Sequence, residues 1–159
     1  SAGTLYHEAT HQLFHETRRV ARRVGRRNNF WIIEGVATYM ESLTDQNGYW
    51  TLGGMTAGRA AAARQRLLDD GFYVPLAELT PLGMNSLQQQ RDLGKLYSQM
   101  AGLTTFLVHY DRGRYRAALV KYLAAVYADT ADDQSLARLT GTSYAALDQQ
   151  YREFLEQGK

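Results

Sequence analysis

A chain of 159 residues with a net charge of +2, 45% apolar residues and only two prolines is long enough to bury the core of one domain and too apolar to be disordered. The absence of cysteine excludes a disulfide framework and any thiolate metal site, which leaves metal chemistry to histidine and carboxylate. No run of about 18 apolar residues is present, so no membrane-spanning helix is expected, and the near-neutral charge gives no bulk attraction to nucleic acid.

The first predicted element is an amphipathic helix from about Thr4 to Val24, with Leu5, Ala9 and Leu13 at helical spacing on its buried side. It contains Tyr6-His7-Glu8-Ala9-Thr10-His11, the pattern H-E-x-x-H. Residues four apart on a helix stand one above the other, so His7 and His11 can grip one metal ion. Glu8, about 100° further round the helix, is placed to reach a water in an open metal position. His15 continues the series but stands about 12 Å along the axis from His7, too far to share an ion bound at ~2.1 Å. A metzincin would carry its third histidine where this chain has Thr17.

A catalytic zinc site takes three protein ligands. The third candidate is Glu34, in Trp31-Ile32-Ile33-Glu34-Gly35-Val36-Ala37-Thr38-Tyr39-Met40-Glu41. A turn at Gly25 to Asn29 lets this second predicted helix fold back antiparallel to the first and present Glu34 to the histidine pair. Glu41, two helical turns beyond Glu34, shares its face. There it can accept the free N–H of a metal-bound histidine, and its spacing fits a solvated carboxylate equally well.

His-Glu-Ala-Thr-His followed by this Glu-Gly segment resembles the gluzincin metallopeptidases, and the form W-x-x-E-G-x-x-x-Y-x-E is similar to the aminopeptidase N type. The order of the later segments resembles the bacterial peptidase MA-like group. The likeness spans most of the chain, with its specificity concentrated in residues 6 to 41. It implies one Zn²⁺ held by His7, His11 and Glu34, Glu41 behind a ligand, and a mainly α fold: the helical half of a thermolysin-like domain over residues 1–159, with about six helices and the active-site helices at about 4–45. The β-sheet that precedes the metal helix in such enzymes is not encoded here, and is expected as an upstream domain of a longer precursor. A bacterial, secreted or cell-envelope setting is favoured.

Arg18, Arg19, Arg22, Arg23, Arg26 and Arg27 form a basic stripe in and after the first helix. Without interleaved aromatics it reads as a solvated face rather than a nucleic-acid surface. Thr44 to Gly58 reads as a loop with turn signals at Asn47-Gly48 and Gly53-Gly54, and with Tyr49 to Leu52 as one extended strand whose Trp50 plugs the core. A third helix is predicted over Thr56 to Leu68. Val74 to Leu79, a Pro-started helical turn, resembles the connector of the peptidase MA-like group.

Leu93 to Tyr110 reads as a strong helix with Leu96, Met100, Leu103, Phe106, Leu107 and Tyr110 on one face. Its opening around Tyr97 is similar to gluzincin helices in which a tyrosine donates to the oxyanion, although the Lys-Gly that usually follows is missing. His109 is expected to be solvated or capping. Arg114 to Tyr127 follows as a helix with Leu119, Val120, Leu123 and Val126 inward. Asp132 or Asp133 caps a short helix to Leu139, and Ser143 to Glu156 is a final amphipathic helix.

The expected function is a zinc-dependent peptidase acting on a peptide or protein, with Glu8 as general base and Tyr97 on the oxyanion. The alternative is a non-catalytic helical interaction or scaffold domain whose metal site is empty or structural.

Overall fold

The centre of the molecule is a helix that is apolar almost all the way round. α2, Phe30–Met40, buries Phe30, Trp31, Ile32, Ile33, Ala37 and Tyr39 together with Glu34, and a helix of that composition is stable only when packed on several sides. In the computed structural model, which describes residues 1–17, 20–56 and 58–158, α1 (Ala2–Thr17) covers one side of α2 and α6 (Leu93–His109) another. A Cβ on Gly35 would lie 2.6 Å from the Thr104 hydroxyl and 3.1 Å from the Met100 carbonyl. The glycine after Glu34 therefore lets α2 and α6 approach closely, which fixes the depth at which Glu34 sits.

The start of α2 is tied to distant parts of the chain. Asn29, in a left-handed conformation at φ 55, donates from Nδ2 to the Asp132 carbonyl at 2.9 Å. The buried Tyr122 hydroxyl donates to Asn29 Oδ1 at 2.5 Å and accepts from Trp31 Nε1 at 3.1 Å. Tyr122→Phe leaves both partners buried without that bond and is expected to cost about 1–3 kcal/mol. Denaturant titration reads this as a lower midpoint at unchanged slope; an unmoved midpoint would refute the role given to the network.

α1 ends earlier than the predicted Val24. Arg18 and Arg19 lie outside the described residues, and residues 22–26 form turns. Gly25, at φ 68, turns the chain back, and a Cβ there would meet Ile33 Cδ1 at 2.6 Å. Arg22, Arg23, Arg26 and Arg27 are exposed on this turn rather than along a helix face, with Arg27 paired to Asp129 at 3.1 Å.

The buried side of α1 is also not the predicted one. Leu5 and Leu13 are 66% and 59% exposed, while Thr10 is buried and Phe14 stacks on Tyr127 with ring centroids 5.0 Å apart. Residues 5, 9 and 13 lie about 200° round the helix from 7, 11 and 15. Turning the histidines toward α2 therefore turns the leucines outward.

The expected single strand is a hairpin, β1 (Thr44–Gln46) paired antiparallel with β2 (Tyr49–Thr51). Asn47 and Gly48, both at positive φ, form the two-residue turn that suits such a ribbon. Trp50 is 61% exposed and plugs nothing. α3 runs Gly58–Leu68, and two short helices, α4 (Leu76–Leu79) and α5 (Met84–Gln88), cross the irregular stretch.

After α6, Asp111 and Arg112 at positive φ break the chain before α7 (Arg116–Tyr127), α8 (Ser135–Thr140) and α9 (Tyr144–Gln157). Val120 faces solvent, and Tyr122 takes the inward place that had been expected of it. Ser143 caps α9, its Oγ accepting from the Ala146 amide at 3.2 Å. The architecture is mainly helical, but the described residues hold nine α-helices rather than about six. Besides the six longer helices stand three short ones: α4 falls in the expected helical turn at Val74 to Leu79, α8 in the expected short helix to Leu139, and α5 has no counterpart in the sequence reading. Among the described residues no helix is long and apolar enough to cross a membrane.

Candidate metal centre

α1 and α2 together bring His7, His11 and Glu34 to one point. His7 Nε2 and His11 Nε2 are 3.2 Å apart, Glu34 Oε2 is 3.5 Å from His7 Nε2, and Glu34 Oε1 is 3.6 Å from His11 Nε2. Donors bound at ~2.1 Å to a tetrahedral ion stand about 3.4 Å apart; the two imidazole nitrogens are near that spacing, each faces one oxygen of the Glu34 carboxylate, and one donor atom from each of the three residues lies within 4.8 Å of the others. They form the metal-capable group found among the described residues.

The partners of these groups strengthen that reading. Glu41 Oε1 lies 2.9 Å from His7 Nδ1 and accepts its proton, which leaves a lone pair on Nε2. That lone pair faces a second imidazole nitrogen and the buried carboxylate of Glu34. Three electron-rich groups pointed at one another repel unless a proton or a cation lies among them. Burial lowers the pKa of His11 most, with the neighbouring His7 acting in the same direction and the charge of Glu34 opposing both.

Glu41 is thus not a solvated carboxylate. Its second oxygen, Oε2, accepts from Arg59 Nε at 2.7 Å, so a continuous chain of contacts runs from Arg59 on α3 through Glu41 to His7. Arg59 was not singled out in the sequence, where Gly58-Arg59-Ala60 is one more basic position on an Ala-rich helix. The signal that would have found it is chemical: a half-buried glutamate bound to a histidine calls for a cation on its other oxygen.

Glu8 is exposed, next to the pair but not in it. The Tyr97 phenol, on the first turns of α6, has its pKa raised to about 12, by burial first and then by the charge of Glu34. Arg59 lies over the Tyr97 ring with its guanidinium carbon 5.8 Å from the centroid. Burial first, and then the charge of Glu34, raises the phenol of Tyr127, read from the sequence as packing, to about 12.

His15 is exposed and lies edge-on to Tyr127, with 6.2 Å between ring centroids. His109 takes no part in the donor group. Contrary to the sequence expectation it is neither solvated nor a cap: it is half-buried, with Nε2 2.8 Å from the Tyr39 hydroxyl, and burial followed by Arg116 pushes its pKa down.

One family, described as "Protein of unknown function (DUF1570)", matches residues 1–126. The chain belongs to the DUF1570 family. The matched region of this DUF1570 chain contains every residue of the donor group, together with Glu8, Glu41, Arg59 and Tyr97. No curated protein and no solved structure matches it.

Proposed function

We propose that this chain is a zinc-dependent metallopeptidase of the gluzincin type, close to the bacterial peptidase MA-like group, with His7, His11 and Glu34 holding one Zn²⁺. The observation that carries this reading is the convergence of two Nε2 atoms and a carboxylate at 3.2 to 3.6 Å, on a helix that also presents Glu8. Zinc is preferred over other divalent ions for its affinity for nitrogen-rich, four-coordinate sites.

When bound, the ion lowers the pKa of its water toward ~7 and polarises the scissile carbonyl. Glu8 takes the proton from the attacking water on its carboxylate and passes it to the leaving amine. Glu41 holds the Nδ1 proton of His7, which fixes the tautomer and aims Nε2. Tyr97, a phenol that keeps its proton at neutral pH, donates a hydrogen bond to the oxygen on which negative charge develops.

Elemental analysis of the chain after zinc loading and dialysis, followed by mass spectrometry of a digested peptide library, tests the proposal. Retained zinc with cleavage that a chelator stops is the expected result. A chain that keeps no zinc leaves only the reading of a helical interaction domain.

A further inference from the structure

A cavity of about 600 Å³ opens beside Glu41, between the start of α1, the end of α2, the hairpin and α3. It reaches Gly3 and Thr4, one helical turn before His7. Its walls are small and hydroxylated, among them Thr38, Ser42, Thr56 and Thr105, and only two of the residues that line it carry charged side chains, Glu41 and Arg59.

Those two charges are not equivalent toward a ligand. Both oxygens of Glu41 are already engaged, one by His7 and one by Arg59 Nε. Arg59 spends only Nε on that contact. Its two terminal nitrogens have no protein acceptor among the described residues, and its side chain is 40% exposed. What the pair presents to the cavity is therefore a set of charged donors in a rigid planar fork, the geometry that matches a carboxylate with two parallel hydrogen bonds. Hydroxyl-bearing walls solvate such a group, and they give a large apolar side chain little to pack against.

We infer that Arg59 and this cavity form a subsite for a peptide carboxylate, supplied by an Asp or Glu side chain or by a free C-terminus, one side chain removed from the metal donors. This rests on the peptidase reading and gives it a substrate class, acidic peptides. Arg59 then has two tasks: Nε steadies Glu41, and the terminal nitrogens select the substrate.

The test measures binding rather than turnover. Blocked hexapeptides carrying Glu at each position in turn, and their Gln twins, are titrated by calorimetry into the Glu8→Gln chain with and without added zinc. A second pair differs only in a free or amidated C-terminus. The expected result is about tenfold tighter binding of one carboxylate peptide than of its neutral twin, the scale of a charge-assisted pair in a partly exposed site. Arg59→Gln should bring that ratio to about one, and Arg59→Lys should keep part of it. If Arg59 only props up Glu41, Arg59→Gln weakens both twins alike and leaves the ratio intact, which overturns the inference, as does equal binding of the twins by the Glu8→Gln chain. Failure of the peptidase reading looks different: the ratio and its dependence on Arg59 persist while the wild-type chain cleaves nothing.

Discussion

Glu8→Gln should leave zinc content untouched and slow peptide hydrolysis by at least about 10²–10⁴-fold, the contribution of a positioned general base. The substitution is isosteric, and residue 8 is exposed on α1, outside the donor group, so neither the fold nor the ligands have reason to change. What disappears is the acceptor for the proton of the attacking water: an amide oxygen is far too weak a base to take it. Steady-state kinetics beside elemental analysis on the same preparation make the case. Turnover equal to wild type would remove Glu8 from the mechanism, and loss of zinc would show that its carboxylate belongs to the metal site itself.

The site was more legible in the sequence than the packing around it. His7, His11 and Glu34 could be named because their constraint is local: a helical repeat sets the first two, and a short turn with Gly25 at positive φ brings the next helix back. The buried face of α1 was misjudged because its apolar residues follow two patterns. Leu5, Ala9 and Leu13 make the longer one, and Tyr6, Thr10 and Phe14 make the one that packs. Only the requirement that the histidines face α2 decides between them, and that is a tertiary requirement. Trp50 and Val120 were misplaced for a related reason, since an apolar side chain in a short strand or on a two-sided helix does not announce which side is covered. Arg59 was invisible because its meaning lies in a partner 18 positions earlier in the chain. His109 was misread because Tyr39, which bonds it, comes from another helix. α5 was missed because an element of five residues is too short for a period of 3.6 to appear, whereas α4 and α8 were legible from Pro75 and from the Asp132-Asp133 pair that precede them.

The sharpest separation between a ligand and its support is expected from Glu34→Ala compared with Glu41→Ala. Glu34 supplies the third donor, so its loss leaves two imidazoles, and stoichiometric zinc should no longer survive dialysis. Glu41 meets the donor group through Nδ1 of His7 and is held on its other oxygen by Arg59. Its removal frees the ring to turn and lowers its basicity, and zinc should remain with affinity weakened by about 10–100-fold. Thermal melting distinguishes either effect from simple unfolding. Without metal, Glu34→Ala should melt no lower than wild type, because it removes a buried carboxylate that faces two imidazole nitrogens at 3.5 and 3.6 Å and puts a good helix former in its place. With zinc at a hundred times its dissociation constant, the wild-type chain gains about 2.7 kcal/mol of stability by mass action. The corresponding rise in Tm should vanish in Glu34→Ala and need more zinc in Glu41→Ala. A Glu34→Ala chain that still melts higher with zinc, at the wild-type concentration, would mean that the ion is held elsewhere and that the convergence of α1 and α2 has no part in binding it.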